Sequence, residues 1–142
     1  MAWKSGEEMK LLDGMLKQRS GLNERIQVFD YAPRPFLLSL IRSAKAVVFP
    51  SLYEGFGLPV LEAMQLGVPT LCSTEGSLPE VAGHASINVD PYDVAAIARG
   101  LRILDQDYEV RRQLALAGAE RAKMFDSSSY KARLLGMYDR VL

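Results

Sequence analysis

The chain has 142 residues, the length of one ordinary domain, and its 49% hydrophobic and 24% charged residues are typical of a globular protein. Lys plus Arg and Asp plus Glu both number 17, so no basic excess indicates a nucleic-acid partner. One cysteine and one histidine exclude a disulfide framework and a multi-histidine zinc site, and we expect no bound metal. No apolar run reaches the roughly 18 residues of a membrane-spanning helix, and the first residues do not have the pattern of a secretory signal. We therefore expect a cytoplasmic protein.

Helix and strand signals alternate along the chain. A first helix is predicted before Gly21, and later helices are predicted to open at Pro35, Pro59, Ser77 and Asp90. The predicted strands comprise residues 26–29, 46–49, 70–73 and 85–89. After Asp105 the pattern is helical, with a break near Gly118. This alternation predicts an α/β fold in which helices flank a Rossmann-like parallel sheet.

Three local patterns predict how the helices pack. Ser77 followed by Glu80 is typical of a capping box at the start of a short helix. Core spacing in the helix opened by Asp90 predicts burial of Val94, Ile97, Ala98, Leu101 and Leu104. A stripe in the last helix predicts core contacts for Tyr130, Leu134, Tyr138 and Val141.

The longest and most glycine-rich loop between a predicted strand and helix comprises residues 50–58. Such loops lie at one edge of a parallel sheet, where ligands of these folds bind. Gly55 and Gly57 permit a backbone path forbidden to other residues, and Pro59 suits the first helical position. The N–H groups predicted to be free at the helix start are those of Gly57, Leu58 and Val60. Free N–H groups at a helix start form an anion site, and phosphate is its commonest biological occupant.

Two carboxylates accompany this loop. Glu62 is placed about one turn into the helix, and Glu54 is in the loop itself. A carboxylate accepts two hydrogen bonds from a vicinal diol such as a ribose, and another stabilises positive charge at an anomeric carbon. A nucleotide sugar combines a diol, a pyrophosphate and a sugar. The alternative interpretation is that Glu62 is a solvated helix residue and that the glycines serve only the turn.

The segment at residues 50–69 has the pattern PS-x-x-EGFGLPVLEAM-x-x-G-x-P. It resembles the donor-binding signature of the retaining GT-B glycosyltransferases of family 4, the glycosyl transferases group 1 set. Glu54 and Glu62 match the spacing of that family's Glu-x7-Glu pair. The similarity extends to residues 25–33 and 46–49 before the segment and to residues 77–83 and 89–91 after it. It covers nearly the whole chain and implies the Rossmann-like second domain of a GT-B fold.

The resemblance implies a role for each matching position. Glu54 would be catalytic and face the donor sugar at the reacting side, and Glu62 would hold the ribose hydroxyls. The backbone around Tyr31 and Ala32 would border the nucleotide base. The residues that would contact the donor sugar and its phosphates, largely through the main chain, are Gly55, Phe56, Gly57, Leu58 and Pro59. The implied donor is a UDP-, GDP- or ADP-sugar, with no separate cofactor and no metal.

The implied reaction transfers a hexose, with retention of configuration, to a glycan or lipid-linked acceptor during polysaccharide biosynthesis. Residues 1–142 would form an incomplete donor-binding domain that ends in helices from about residue 107 to 142. Neither an acceptor-binding N-terminal domain nor the basic pair that clamps the pyrophosphate is found in the sequence, so the chain alone is expected to be inactive. The alternative is a non-catalytic, truncated Rossmann-like module that binds a nucleotide or a partner chain.

The expected partners follow from the same comparison. They are a nucleotide sugar and either an N-terminal GT-B domain or a separate chain that completes the fold. Residues 26–29 and 46–49 would flank a gap where two strands of the family belong, so we expect these two segments to pair directly or, next in order, copies of the chain to associate. The basic C-terminal helices are interpreted first as a solvated face and second as a weak contact with the inner face of an anionic membrane.

Overall fold

A computed structural model describes residues 6–18, 25–29 and 31–141. The chain divides into two compact units, Met1–Pro33 and Arg34–Leu142. In the first unit, helix α1 spans Gly6–Gln18. Residues 26–29 form no strand, so the strand predicted there is wrong. The apolar residues of this segment match a strand pattern, but a strand needs a neighbour to bond its backbone, and the three-stranded sheet of the protein does not include them.

The second unit contains three strands and six helices among its described residues. The elements in chain order are α2 (Arg34–Ser43), β1 (Val47–Phe49), α3 (Leu58–Gln65), β2 (Thr70–Ser73), α4 (Leu78–Ala82), β3 (Ser86–Val89), α5 (Val94–Gln106), α6 (Tyr108–Ala122), a 3-10 turn (Lys123–Phe125) and α7 (Ser127–Val141). The predicted alternation of strands and helices is therefore confirmed in this unit.

The three strands form a parallel sheet in the order β1-β2-β3. Val47 is opposite Thr70, and Thr70 is opposite Ser86. All four residues of β2 are buried, as expected for a central strand covered by helices on both faces. The predicted direct pairing of residues 26–29 with β1 is wrong, and the outer edge of β1 has no neighbouring strand in the described part of the chain.

The core of this unit lies on both faces of β2. On one face Cys72 packs with side chains of α3 and α4, including Met64 and Leu78. On the other face Leu71 packs with Val89 and with Leu104 of α5. Burial raises the pKa of the Cys72 thiol, which behaves as the buried small side chain expected of a residue in a central strand.

Close helix packing explains why the break predicted near Gly118 does not occur in α6. Helix α6 runs without interruption through Gly118, although glycine in a helical pattern predicts an end. A Cβ at Gly118 would lie 3.1 Å from Cγ of Met64. The glycine therefore permits α6 to approach α3 closely, and the helix tolerates its conformational cost because of that contact.

Three other predictions about the helices are wrong. Helix α5 begins at Val94, where Asp93 accepts a hydrogen bond from the Ala96 N–H at 2.9 Å, and not at Asp90. The predicted burial of Val94 and Leu101 in α5 is wrong, because Val94 is 78% exposed and Leu101 is exposed as well. In α7, Tyr130, Tyr138 and Val141 are at least half exposed. Periodicity in a sequence indicates an apolar side of a helix, but it does not determine what covers that side.

None of the described helices combines the length and apolar character needed to cross a bilayer.

Candidate functional site

Two loops leave the carboxyl end of the sheet next to each other. We call residues 50–57, between β1 and α3, the first loop, and residues 74–77, between β2 and α4, the second loop. At the base of both, the Ser73 hydroxyl donates a hydrogen bond to the Ser51 carbonyl at 2.6 Å. The same hydroxyl accepts a hydrogen bond from the Glu75 N–H at 3.3 Å. One buried side chain of β2 therefore connects the two loops.

The backbone of Glu54 is held by the second loop. Its carbonyl accepts hydrogen bonds from the Ser77 N–H at 3.2 Å and from the Ser77 hydroxyl at 3.0 Å. Gly76 has a φ of +59°, and a Cβ there would lie 2.7 Å from the Glu54 carbonyl oxygen. The capping box predicted for Ser77 and Glu80 is wrong, since the Ser77 side chain makes no cap bond to α4. Its hydroxyl stabilises the candidate site instead.

Gly57 forms the junction between the first loop and α3. It is buried and has a φ of +93°, in the left-handed region that favours glycine. A Cβ at this position would meet Cδ2 of Leu78 at 2.5 Å. A Cβ added at Gly55 would have no atom within 4 Å, and the φ of Gly55 is not positive. Of the two glycines in the first loop, only Gly57 therefore has the backbone conformation that other residues rarely adopt.

The start of α3 offers two backbone donors. The Gly57 carbonyl accepts hydrogen bonds from the N–H groups of Val60 at 3.0 Å and Leu61 at 3.2 Å. The prediction of a free N–H at Val60 is therefore wrong, because the helix already uses that group. The N–H groups of Gly57 and Leu58 have no acceptor among the described residues, and Pro59 has no N–H to offer. An anion at this helix start would meet those two donors and the positive end of the helix dipole.

The two carboxylates have different surroundings. Glu54 lies in the first loop and is half-buried. Its carboxylate has no cationic partner in the described part of the chain. Glu62 Oε1 lies 2.8 Å from Nη2 of Arg34, the first residue of α2. The Glu62 side chain is 17% exposed and that of Arg34 is 75% exposed. Glu62 is therefore not a solvated helix residue, and Arg34 is a site residue that the sequence analysis missed.

The Phe56 side chain is part of a packing contact. Its ring meets the Phe125 ring edge-to-face, with centroids 5.8 Å apart. Cζ of Arg121 lies 5.6 Å from the centroid of Phe125, and the Arg121 guanidinium donates to the Val81 and Glu80 carbonyls at the end of α4. These contacts attach the tip of the first loop to the C-terminal helices.

Other predicted site residues remain separate from this geometry. Tyr31 is exposed and Ala32 is half-buried, and both belong to the unit Met1–Pro33. Their contact with a base stays a prediction. Within residues 6–18, 25–29 and 31–141, no three His, Cys, Asp or Glu side chains are grouped as metal ligands.

Comparison with known families decides which fold this site belongs to. The model of the family described as glycosyl transferases group 1 matches residues 6–121. The chain belongs to this family. The predicted resemblance is confirmed, and so is the Rossmann-like fold of a GT-B C-terminal domain.

Two curated relatives are mannosyltransferases. The O-antigen chain mannosyltransferase B of Escherichia coli is 41% identical over 113 residues, which cover 80% of this chain and 30% of that protein. The MMP alpha-(1->4)-mannosyltransferase of Mycolicibacterium hassiacum is 40% identical over 111 residues, 75% of this chain and 27% of that protein. The chain thus spans less than a third of the length of either relative.

Solved structures support the same fold. Sucrose-phosphate synthase from Thermosynechococcus elongatus superposes with a TM-score of 0.79 at 25% identity, covering 98% of this chain and 35% of that one. A UDP-forming alpha,alpha-trehalose-phosphate synthase from Burkholderia vietnamiensis superposes with a TM-score of 0.66 at 17% identity, covering 92% and 33%. The second similarity concerns the fold alone.

Proposed function

We propose that the chain binds the nucleotide diphosphate part of a UDP-, GDP- or ADP-sugar along the first loop and the start of α3. As part of a glycosyltransferase in the cytoplasm or at the inner face of a membrane, it would serve transfer of a hexose to a glycan or lipid-linked acceptor with retention. Because two relatives are named mannosyltransferases, mannose is the first hexose to test.

One observation carries this proposal. The start of α3 combines two backbone donors without acceptors, at Gly57 and Leu58, with a carboxylate before it and another one turn after it. The donors suit a phosphate, and the carboxylate of Glu62 suits the vicinal hydroxyls of a ribose. A bare anion site has no use for two carboxylates, which repel anions, whereas a nucleotide sugar uses both kinds of group.

The roles proposed for the individual residues combine the family resemblance with this geometry. The two N–H groups would bind a phosphate, and the main chain of Gly55 and Phe56, at exposed positions of the first loop, would contact sugar hydroxyls. The carboxylate of Glu54, which carries no counter-ion among the described residues, would stabilise positive charge at the anomeric carbon. Its backbone is immobilised by Ser77, which limits the reorganisation needed during the reaction.

Calorimetry with GDP-mannose, UDP-glucose and ADP-glucose tests the binding proposal. We expect one of them to bind, and Glu62→Ala to weaken that binding by about 1–3 kcal/mol through loss of a charge-assisted hydrogen bond. The matched control is Glu120→Ala, which removes an exposed glutamate of α6 outside both loops. Equal affinity of wild type and Glu62→Ala would contradict the ribose role, and absence of binding by all three donors would contradict the proposed site.

A second candidate function, a module that binds a partner chain, is favoured by the outer edge of β1. That edge has no neighbouring strand in the described residues, and the side chains of Val48 in β1 and of Leu37 and Leu40 in α2 are exposed. Sedimentation of the purified chain tests this candidate. A concentration-independent monomer that binds a nucleotide sugar favours the donor-site proposal alone, whereas a stable dimer that dissociates on Val48→Lys favours the partner-binding module.

A further inference from the structure

The ion pair between Arg34 and Glu62 joins two residues that the sequence pattern does not connect. Glu62 is largely buried on α3, and its Oε1 lies 2.8 Å from one guanidinium nitrogen at the start of α2. Arg34 is 75% exposed, so its remaining N–H groups face water. The pair is therefore asymmetric, with a carboxylate held inside the site by a cation at the surface.

The geometry leaves the carboxylate partly free. An ionised carboxylate offers about four lone-pair positions, and Arg34 approaches the carboxylate at one oxygen, Oε1, as an ion pair. No other cationic side chain in the described residues pairs with Glu62. Oε2, and the side of Oε1 away from Arg34, can accept two hydroxyl donors while Arg34 stays in place. The ion pair and a bound diol are therefore compatible.

Holding this carboxylate in one orientation reduces the cost of binding. A glutamate side chain has three rotatable bonds, and fixing them before a ligand arrives lowers the entropy lost on binding. A guanidinium suits this task because its planar N–H groups define a direction, which a compact ammonium group does not.

We infer that Arg34 is a positioning residue of the donor site, which orients the Glu62 carboxylate so that its free lone pairs accept the vicinal 2′- and 3′-hydroxyls of a nucleotide ribose. This inference rests on the proposed nucleotide-sugar function. It assigns no direct contact between Arg34 and the ligand.

The test compares ligands with and without the diol. We titrate the 142-residue chain with whichever of GDP, UDP and ADP it binds most tightly, and with the 2′,3′-dideoxy form of the same nucleotide. Arg34→Gln is expected to weaken binding of the ribonucleotide roughly tenfold, in the range of measured couplings between contacting residues, and to leave the dideoxy affinity unchanged. In the Glu62→Gln background, Arg34→Gln is expected to add no further loss.

Two variants control for charge and for folding. Arg42→Gln removes an exposed arginine from the last turn of the same helix and is expected to leave both affinities unchanged. Arg34→Lys keeps the charge but not the planar fork, and is expected to restore part of the ribonucleotide affinity. Thermal unfolding of each variant checks that the chain remains folded, and Arg34→Lys carries the test if Arg34→Gln does not fold.

The outcomes separate this inference from the proposed function. If Arg34→Gln weakens ribonucleotide and dideoxynucleotide equally, Arg34 contacts the phosphates directly and the positioning role is wrong. If neither affinity changes, the positioning role is also wrong, while the proposed donor site stands on wild-type binding. If the wild-type chain binds no nucleotide, the proposed function fails and this inference fails with it.

Discussion

The two loops at the carboxyl end of the sheet use their polar groups in opposite ways. The first loop leaves the N–H groups of Gly57 and Leu58 and the carboxylate of Glu54 without partners among the described residues. The second loop directs both donors of Ser77 to the Glu54 carbonyl and brings Gly76 against the same atom. A loop that keeps its binding groups free is thus held in place by other segments, and the second loop supplies two of the hydrogen bonds that do so.

The substitution expected to lower the free energy of unfolding most is one that adds a side chain where the two loops touch. Gly76→Ala would force a Cβ to 2.7 Å from the Glu54 carbonyl oxygen at a φ of +59°. Because a backbone atom cannot move aside as a side chain can, we expect a loss of about 2–4 kcal/mol in the free energy of unfolding, measured by urea titration. The control Gly136→Ala in α7 meets open space and is expected to be neutral or to stabilise by up to about 1 kcal/mol. A neutral Gly76→Ala would show that the second loop does not hold the first.

The next effect distinguishes the two glycines of the first loop. Gly57→Ala combines a left-handed backbone with overlap of the new methyl group on the Leu78 side chain, whose far end can move. We expect a loss of about 1–3 kcal/mol in the free energy of unfolding. Gly55→Ala, two residues earlier, meets nothing within 4 Å and is the matched control. Equal losses for both variants would contradict the assignment of the strained turn to Gly57.

A smaller effect is expected when one bond between the loops is removed. Ser77→Ala deletes the hydroxyl that donates to the Glu54 carbonyl at 3.0 Å and keeps the N–H bond to the same atom. We expect a loss of about 1 kcal/mol in the free energy of unfolding and a weaker nucleotide-sugar affinity, by calorimetry on the same sample. Ser39→Ala, at an exposed position of α2, is the control. A stability loss with unchanged affinity would mean that the second loop supports the fold but not the ligand site.

The smallest effect lies outside both loops and concerns acid stability. A hydrogen bond from the Ala96 N–H, aided by Arg99, holds the pKa of Asp93 below its ordinary value. A lowered folded-state pKa means that this stabilisation is present above the unfolded pKa of about 3.9 and is lost as the pH falls through the folded value. We expect Asp93→Asn to keep its stability near pH 7, because asparagine also caps helices, and to show a shallower loss of stability below pH of about 4 than the wild type. An unchanged acid slope would contradict this.

Much of the sheet and the site was predictable because their signals are local. A buried central strand has a continuous apolar run, and residues 70–73 form β2 as predicted. Pro59 in the first turn of α3 and Gly57 before it mark a helix start by their own backbone restrictions. The family signature around Glu54 and Glu62 occupies one continuous segment, so it was visible without any knowledge of packing.

The remaining features depend on residues that are distant in the sequence. In a capping box the Ser77 hydroxyl would accept a hydrogen bond from the Glu80 N–H. In the structure it instead donates to the Glu54 carbonyl of the neighbouring loop, which is distant in the sequence. Residues 26–29 have a strand pattern without a strand neighbour. Three residues of the predicted α7 stripe, Tyr130, Tyr138 and Val141, are exposed, and their spacing could not show this because it does not determine what packs on that side.

The sequence by itself therefore determined the family, the three strands and the position of the candidate site, since each follows from the backbone preferences and spacing of neighbouring residues. Only the tertiary structure decided that Arg34 pairs with Glu62, that Ser77 holds Glu54 and that Gly118 permits contact between two helices. These are contacts between segments that the packing of parallel strands and their helices brings together, and a hydrogen bond or ion pair forms only where two such atoms come within about 3 Å of each other.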